Sequence, residues 1–179
     1  MATSGALARQ PINRNFLSQL NYKFILHRAP NIEFWIQRIN LPGLAIQAID
    51  YPNPLVNIPY SGEQIDYEPL GIDYKIDEDF ANWFEIQDWL TGLGFPQEFD
   101  QYEDLKSQEN NKLGSGLKSD ISLHILNSSK KPNMEFIFHD AFPVSLSSLT
   151  FDTTDPDVDY LEATAVFRYT YITYNELPS

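Results

Sequence analysis

Cysteine is absent from the 179 residues. That excludes a disulfide framework and thiolate metal sites, so cohesion has to come from packing. Long apolar runs are missing as well. No stretch approaches the length needed to cross a bilayer, and the opening residues MATSGALARQ lack the apolar centre of a secretory signal. No membrane partner is expected, and the protein should stay where it is made. Basic residues are scarce: 12 Lys and Arg against 25 Asp and Glu leave a formal charge of −13. A chain that binds nucleic acid through its surface needs a basic patch to neutralise phosphates, and this balance opposes one. The 3 histidines lie far apart, and no HExxH, GxSxG, P-loop or GxGxxG occurs. The expectation is therefore a non-enzyme with no catalytic residue, cofactor or resident metal.

What is present is a β-rich soluble pattern. There are 12 Phe, 10 Tyr and 3 Trp, set in short, mostly alternating apolar segments, and the length suits one domain with a sizeable core. The acids are concentrated. Between Asp50 and Glu109 only Lys75 and Lys106 interrupt the acidic residues, whereas residues 1 to 49 carry Arg9, Arg14, Lys23, Arg28 and Arg38 against the single acid Glu33. Such asymmetry suits complementary surfaces on neighbouring copies, and equally a solvated acidic face.

The stretch from Ile65 to Leu93 organises the rest. Ile65 and Tyr67 alternate with Asp66 and Glu68, and Leu70, Ile72, Tyr74 and Ile76 with Gly71, Asp73 and Lys75. That is the period of a strand with one buried face. The two runs are out of phase, and Pro69 and Gly71 mark a bulge or edge where the strand bends. Asp77, Glu78 and Asp79 then offer an N-cap and acidic partners for a helix start. Phe80, Trp83, Phe84, Ile86, Trp89, Leu90 and Leu93 recur at helical steps and predict a core-facing lid, with Asn82, Glu85, Gln87 and Asp88 on the remaining positions.

Residues 1–15 are small and polar and predict a flexible arm ahead of a single domain over 16–179. Tyr22 to Leu26 and Ile32 to Ile39 read as a hairpin across Ala29-Pro30-Asn31. Asp50 to Ser61, rich in proline, reads as an irregular connection, either a surface lash or an interface loop. A short helix is expected around Gln97 to Lys106, and mobility at Gly114-Ser115-Gly116. Ile121 to Ile125 and Met134 to Phe138 form a second hairpin ended by Ala141-Phe142-Pro143, and Leu161 to Tyr171 form one long final strand. Asp152, Asp155, Asp157 and Asp159 make an acidic turn with hard oxygens for calcium, but without the glycine and distal glutamate of an EF-hand.

Taken in order from about Asn15 to Tyr174, these elements resemble the tail-tube proteins of contractile-tailed bacteriophages. The likeness rests on the early hairpin ending in Leu41-Pro42-Gly43 and on the Gly62 to Ile76 strand running into a helix with Trp83 and Trp89. It also rests on the Ser119 to Leu126 strand, the Phe-x-Phe and Ala-Phe-Pro of Met134 to Pro143, and the aromatic final strand. The resemblance implies a mainly β fold, a sandwich or barrel with one flanking helix, in a virion protein assembled in the host cytoplasm. It implies hexameric rings stacked into an inner tube, with sheath and baseplate or terminator proteins as partners and genomic DNA passing without specific binding. The same fold serves tube initiators, terminators and a ring protein of the type VI secretion apparatus. The elaborate Asp50 to Ser61 segment exceeds what a minimal tube subunit needs. In such a tube, Asp66, Glu68 and Asp73 become candidate lumen-facing residues, the other reading being an outer surface that confers solubility. Outside this class stands a monomeric β-sandwich whose exposed aromatics bind carbohydrate or another surface ligand.

Overall fold

Alternation over most of the chain builds nine strands in a computed structural model that describes residues 15–94, 100–107, 116–154 and 159–177. The expected N-terminal arm up to residue 14, the stretch 108–115 and the carboxylates Asp155 and Asp157 lie outside the described residues.

In chain order the elements are β1 (Tyr22–Leu26), β2 (Ile36–Asn40), β3 (Leu44–Tyr51), β4 (Ile58–Tyr67), β5 (Leu70–Lys75), α1 (Ala81–Gly94), α2 (Asp100–Ser107), β6 (Ser119–Leu126), β7 (Pro132–Leu146), β8 (Glu162–Arg168) and β9 (Tyr171–Glu176). A 7-stranded sheet runs β1-β6-β7-β8-β5-β2, with β9 also on β7, while β3 and β4 form a separate 2-stranded sheet. The larger sheet curls until a side chain of β1 reaches β2, the Tyr22 hydroxyl donating to the Gln37 carbonyl at 3.0 Å, although the two end strands share no ladder. The fold is mainly β with a flanking helix, as the resemblance implied.

The curl depends on two bends. β7 continues through Ala141-Phe142-Pro143, contrary to the break expected there: its first half pairs with β6 and β9 and its second half with β8. The bend falls at Asp140, whose φ of 57° is left-handed. Asp is among the few residues that tolerate this region, and here the Asp140 amide donates to Asp120 Oδ1 at 3.0 Å. The single final strand expected from Leu161 to Tyr171 is in fact β8 and β9, parted at Tyr169 and Thr170. The Thr170 amide donates to the His139 carbonyl at 2.9 Å, so both strands turn beside β7.

The first expected hairpin does not form. β1 pairs with β6 and β2 with β5, because a 3₁₀ turn at Pro30–Ile32 carries the chain across the end of the sheet. There the Leu26 amide, a potential ladder donor, is taken by Glu33 Oε1 at 2.9 Å. The second hairpin, β6 with β7, forms as expected.

The core gathers Phe24, Leu26, Ile121, Leu123 and Phe138 from one half of the sheet and Leu70, Ile72, Tyr74, Ala163, Ala165 and Phe167 from the other. α1 covers it with Ile86 and Trp89. The Trp89 ring lies 6.1 Å from Phe167, its Nε1 donates to the Leu117 carbonyl at 3.1 Å, and the Arg28 guanidinium sits 5.0 Å over its face. The Asp77-Glu78-Asp79 cap is not used. α1 begins later, after Phe80, which has a φ of 59° and accepts the first helical bond from the Phe84 amide. Asn82, expected on the polar side, is instead fully buried. Its Nδ2 donates to the Lys75 carbonyl at 2.8 Å, tying the start of the helix to β5.

Candidate functional site

Among the described residues no cluster of His, Asp and Glu is arranged to hold a metal. Asp152 of the acidic turn receives the Thr154 amide and hydroxyl at 2.8 and 2.6 Å. Those bonds hold its carboxyl below the usual range, and they close a local turn.

The feature that the curled body does not explain is the β3–β4 ribbon. It covers the segment expected to be an irregular connection, including Pro59, which lies opposite Asp50. Proline is acceptable in a ribbon with two free edges. Every residue of β3 is exposed, and among the described residues nothing packs on most of the ribbon. The Ile65 and Tyr67 run, expected to share the core face of β5, belongs to this arm instead, and Ile65 is 45% exposed. The bend foreseen at Pro69 is the place where the chain leaves the arm for the body.

The arm is rooted by hydrogen bonds at its base. Gly43 and Glu68 close its base: the Glu68 amide donates to the Gly43 carbonyl at 3.2 Å and the Gly43 amide to Glu68 Oε2 at 3.0 Å. A Cβ on Gly43 would fall 2.8 Å from that same oxygen. The body grips the base from the β8–β9 junction, where the Tyr169 hydroxyl donates to the Glu68 carbonyl at 2.8 Å and Arg168 Nη1 to the Tyr67 carbonyl at 3.2 Å. The Tyr169 phenol is pushed up to about 12, chiefly by burial and further by Tyr67 and Glu68. It stays a donor throughout the physiological range.

The candidate lumen residues fall in three different places. Asp66 is on the arm opposite Ala45, exposed. Glu68 is the latch of the arm's base. Asp73 is on the outer face of the β2–β5–β8 sheet, accepting from Thr164 Oγ1 at 2.7 Å and facing Arg38 at 3.6 Å. The structure does not bring them into one row, because the break at Glu68 and Pro69 separates arm from body. On the helix, Ile86 and Trp89 are buried, Phe80, Trp83 and Leu90 are partly covered, and Phe84 is 49% exposed. Phe84 and Phe80 instead form an aromatic group with Trp83 and Phe151.

The apolar residues of the arm are the ones sequence reasoning missed as a surface. Ile46 is 55% exposed, Ile49 64% and Tyr60 59%, and the tip residue Leu55 is 95% exposed. Their signal lay in the alternation of Leu44 to Tyr51, hidden by the prolines that follow. A rooted ribbon with exposed apolar side chains and free edges can associate with other protein surfaces.

No protein-family model matches the chain. It is 27% identical over 139 residues to the tail tube terminator protein of Enterobacteria phage T4, an alignment covering 75% of this chain and 73% of that protein. Among solved structures, the cap that ends the tube of the anti-feeding prophage matches with a TM-score of 0.60 at 15% identity, over 99% of this chain and 100% of that one. A sheath–tube complex of an extracellular contractile injection system matches with a TM-score of 0.56 at 14% identity, over 99% of each chain. Its sheath/tube terminator matches with a TM-score of 0.55 at 16% identity, over 92% of this chain and 99% of that one. These likenesses show the fold. The chain is similar in sequence to a tail tube terminator and has the fold of tube and terminator proteins of contractile systems.

Proposed function

We propose that this protein is the tube terminator of a contractile tail, seated as a ring on the last ring of the inner tube and ending its growth. The observation that carries this reading is the kinship over 139 residues to the T4 tail tube terminator. The cap-like fold over nearly the whole chain supports it, and so does the arm, a surface suited to contact between subunits. The proposal replaces the tube subunit as the leading reading and keeps that reading's other parts: a hexameric ring, neighbouring tube and sheath proteins, a place in the virion tail, and DNA passing through without being bound. A formal charge of −13 favours a duct that repels phosphate. Of the candidate lumen residues, Asp73 is the one proposed to face the channel, since Asp66 belongs to the arm and Glu68 to its base.

The test is polymerisation. Purified protein examined by light scattering and negative-stain imaging should form rings and no long tubes. Added to growing tubes of its cognate subunit, it should arrest them at a shorter length. Unlimited self-assembly into tubes would return the protein to the tube-subunit class. A strict monomer without effect on tubes would remove it from tails altogether.

A further inference from the structure

The arm carries two apolar patches, and they lie on opposite faces. Near the root, Leu44 stands opposite Tyr67 and Ile46 opposite Ile65. Directly paired residues share a face. Near the tip, Ile49 stands opposite Tyr60 and Tyr51 opposite Ile58, and the Tyr51 and Tyr60 rings meet edge to face at 6.4 Å. Side chains alternate along a strand, and the step from Ile46 to Ile49 is odd, as is the step from Tyr60 to Ile65. Both strands therefore change the parity of their apolar positions at the same level, beside Ala48 and Ser61, which are paired with each other. The reverse sides of the patches carry small or acidic residues: Ala45 with Asp66 behind the root patch, and Asp50 with Pro59 behind the tip patch.

A ribbon lying on one surface needs a single apolar face. A ribbon whose apolar face changes sides halfway along is built to be covered from both directions. The change coincides with the irregularity of β4 at Gly62–Gln64, opposite Gln47. There the chain approaches so closely that a Cβ on Gly62 would lie 2.4 Å from the Gln47 carbonyl oxygen. Bulges of this kind bend and twist a ribbon.

We infer that the arms of adjacent copies overlap like tiles, the tip patch of one arm packing on the root patch of the next. The two patches fit each other in what they contain. Each spans two alternate cross-strand pairs on one face, each is uncharged, and overlap leaves the acidic reverse sides in water. The arm has no Lys or Arg between Leu44 and Tyr67, so like arms laid face to face on their acidic sides would repel. The patch centres are about five residues apart, so successive arms are staggered by about 17 Å. A contact between two different patches is heterologous, and it closes into a ring when the rotation between copies permits. The inference rests on the assembly part of the proposed function and names the surface that makes the assembly.

The absence of cysteine makes the test clean. Ile46→Cys labels the root patch and Tyr60→Cys the tip patch. With a short bis-maleimide, a chain carrying both cysteines should give a ladder of covalent oligomers ending at the ring. Either single variant should give no dimer, and an equal mixture of the two singles should stop at dimers. A single variant that cross-links as well as the double, or a double that stays monomeric, overturns the overlap. Ile49→Lys with Tyr60→Lys, or Ile46→Asp with Ile65→Asp, should each disperse the assembly while leaving the circular dichroism of the body unchanged. All four in one chain should restore it, and failure of that rescue also overturns the inference. A ladder in a protein that does not arrest tubes refutes the terminator reading and leaves the overlap standing. Arrest without a ladder refutes the overlap alone.

Discussion

Trp89 and Glu85 stand on the same helix in opposite situations. The Trp89 ring is buried between Phe167 and the Arg28 guanidinium. Trp89→Ala removes a large buried aromatic and should cost about 3 to 5 kcal/mol, read as a lower midpoint in denaturant melts. Trp83→Ala should shift the midpoint less, since Trp83 is only partly covered. Glu85 receives the Asn31 amide and Nδ2 at 3.2 and 2.8 Å. Even so, burial, with a smaller contribution from Asp77, holds its carboxyl above the ordinary 4.5. A carboxyl raised in the folded state binds its proton more tightly there than in the unfolded chain. Its ionised form therefore lowers stability above the folded-state pKa, and the penalty is gone below the unfolded value. Glu85→Gln should melt higher than the parent at pH 7. The difference should shrink as pH falls and vanish below 4.5, which thermal melts across a pH series will check.

Among the elements, the arm and the body follow different rules. β5 alternates buried and half-buried residues because β2, β8 and the core bracket it, whereas β4 is exposed along most of its length because only β3 pairs with it. Gly62→Ala separates the two behaviours. The added carbon would meet backbone rather than a yielding side chain, so the arm must deform around Gln47. The body, which shares no ladder with the arm, should keep its melting temperature. Sedimentation or light scattering should show weakened assembly at unchanged stability.

For the whole molecule, the arm's base is already closed by the paired hydrogen bonds of Gly43 and Glu68. Excising residues 44–67 and joining Gly43 to Glu68 through a short Gly-rich linker should therefore leave a folded body with a cooperative melt. That body should run as a monomer in size-exclusion chromatography with light scattering and fail to arrest tubes. An excised form that still makes rings would place the ring contact on the body.

Composition and alternation alone determined the mainly β class, the α1 helix over the core through Ile86 and Trp89, and the β6–β7 hairpin. All of these are local, or follow from which residue types are present. Period and propensity say that a segment is a strand without saying which strand it joins. The pairings β1 with β6 and β2 with β5 link residues far apart in sequence, and only the 3₁₀ turn and the Glu33 contact with Leu26 show why the nearer pairing is lost. Asn82 looked polar and outward, yet is buried because a carbonyl at the end of β5 needs its amide. Ile46, Ile49, Ile65 and Tyr60 carry the same signal as core residues. Tertiary structure alone decided that nothing among the described residues covers them, because burial depends on what lies opposite a face and not on the face itself.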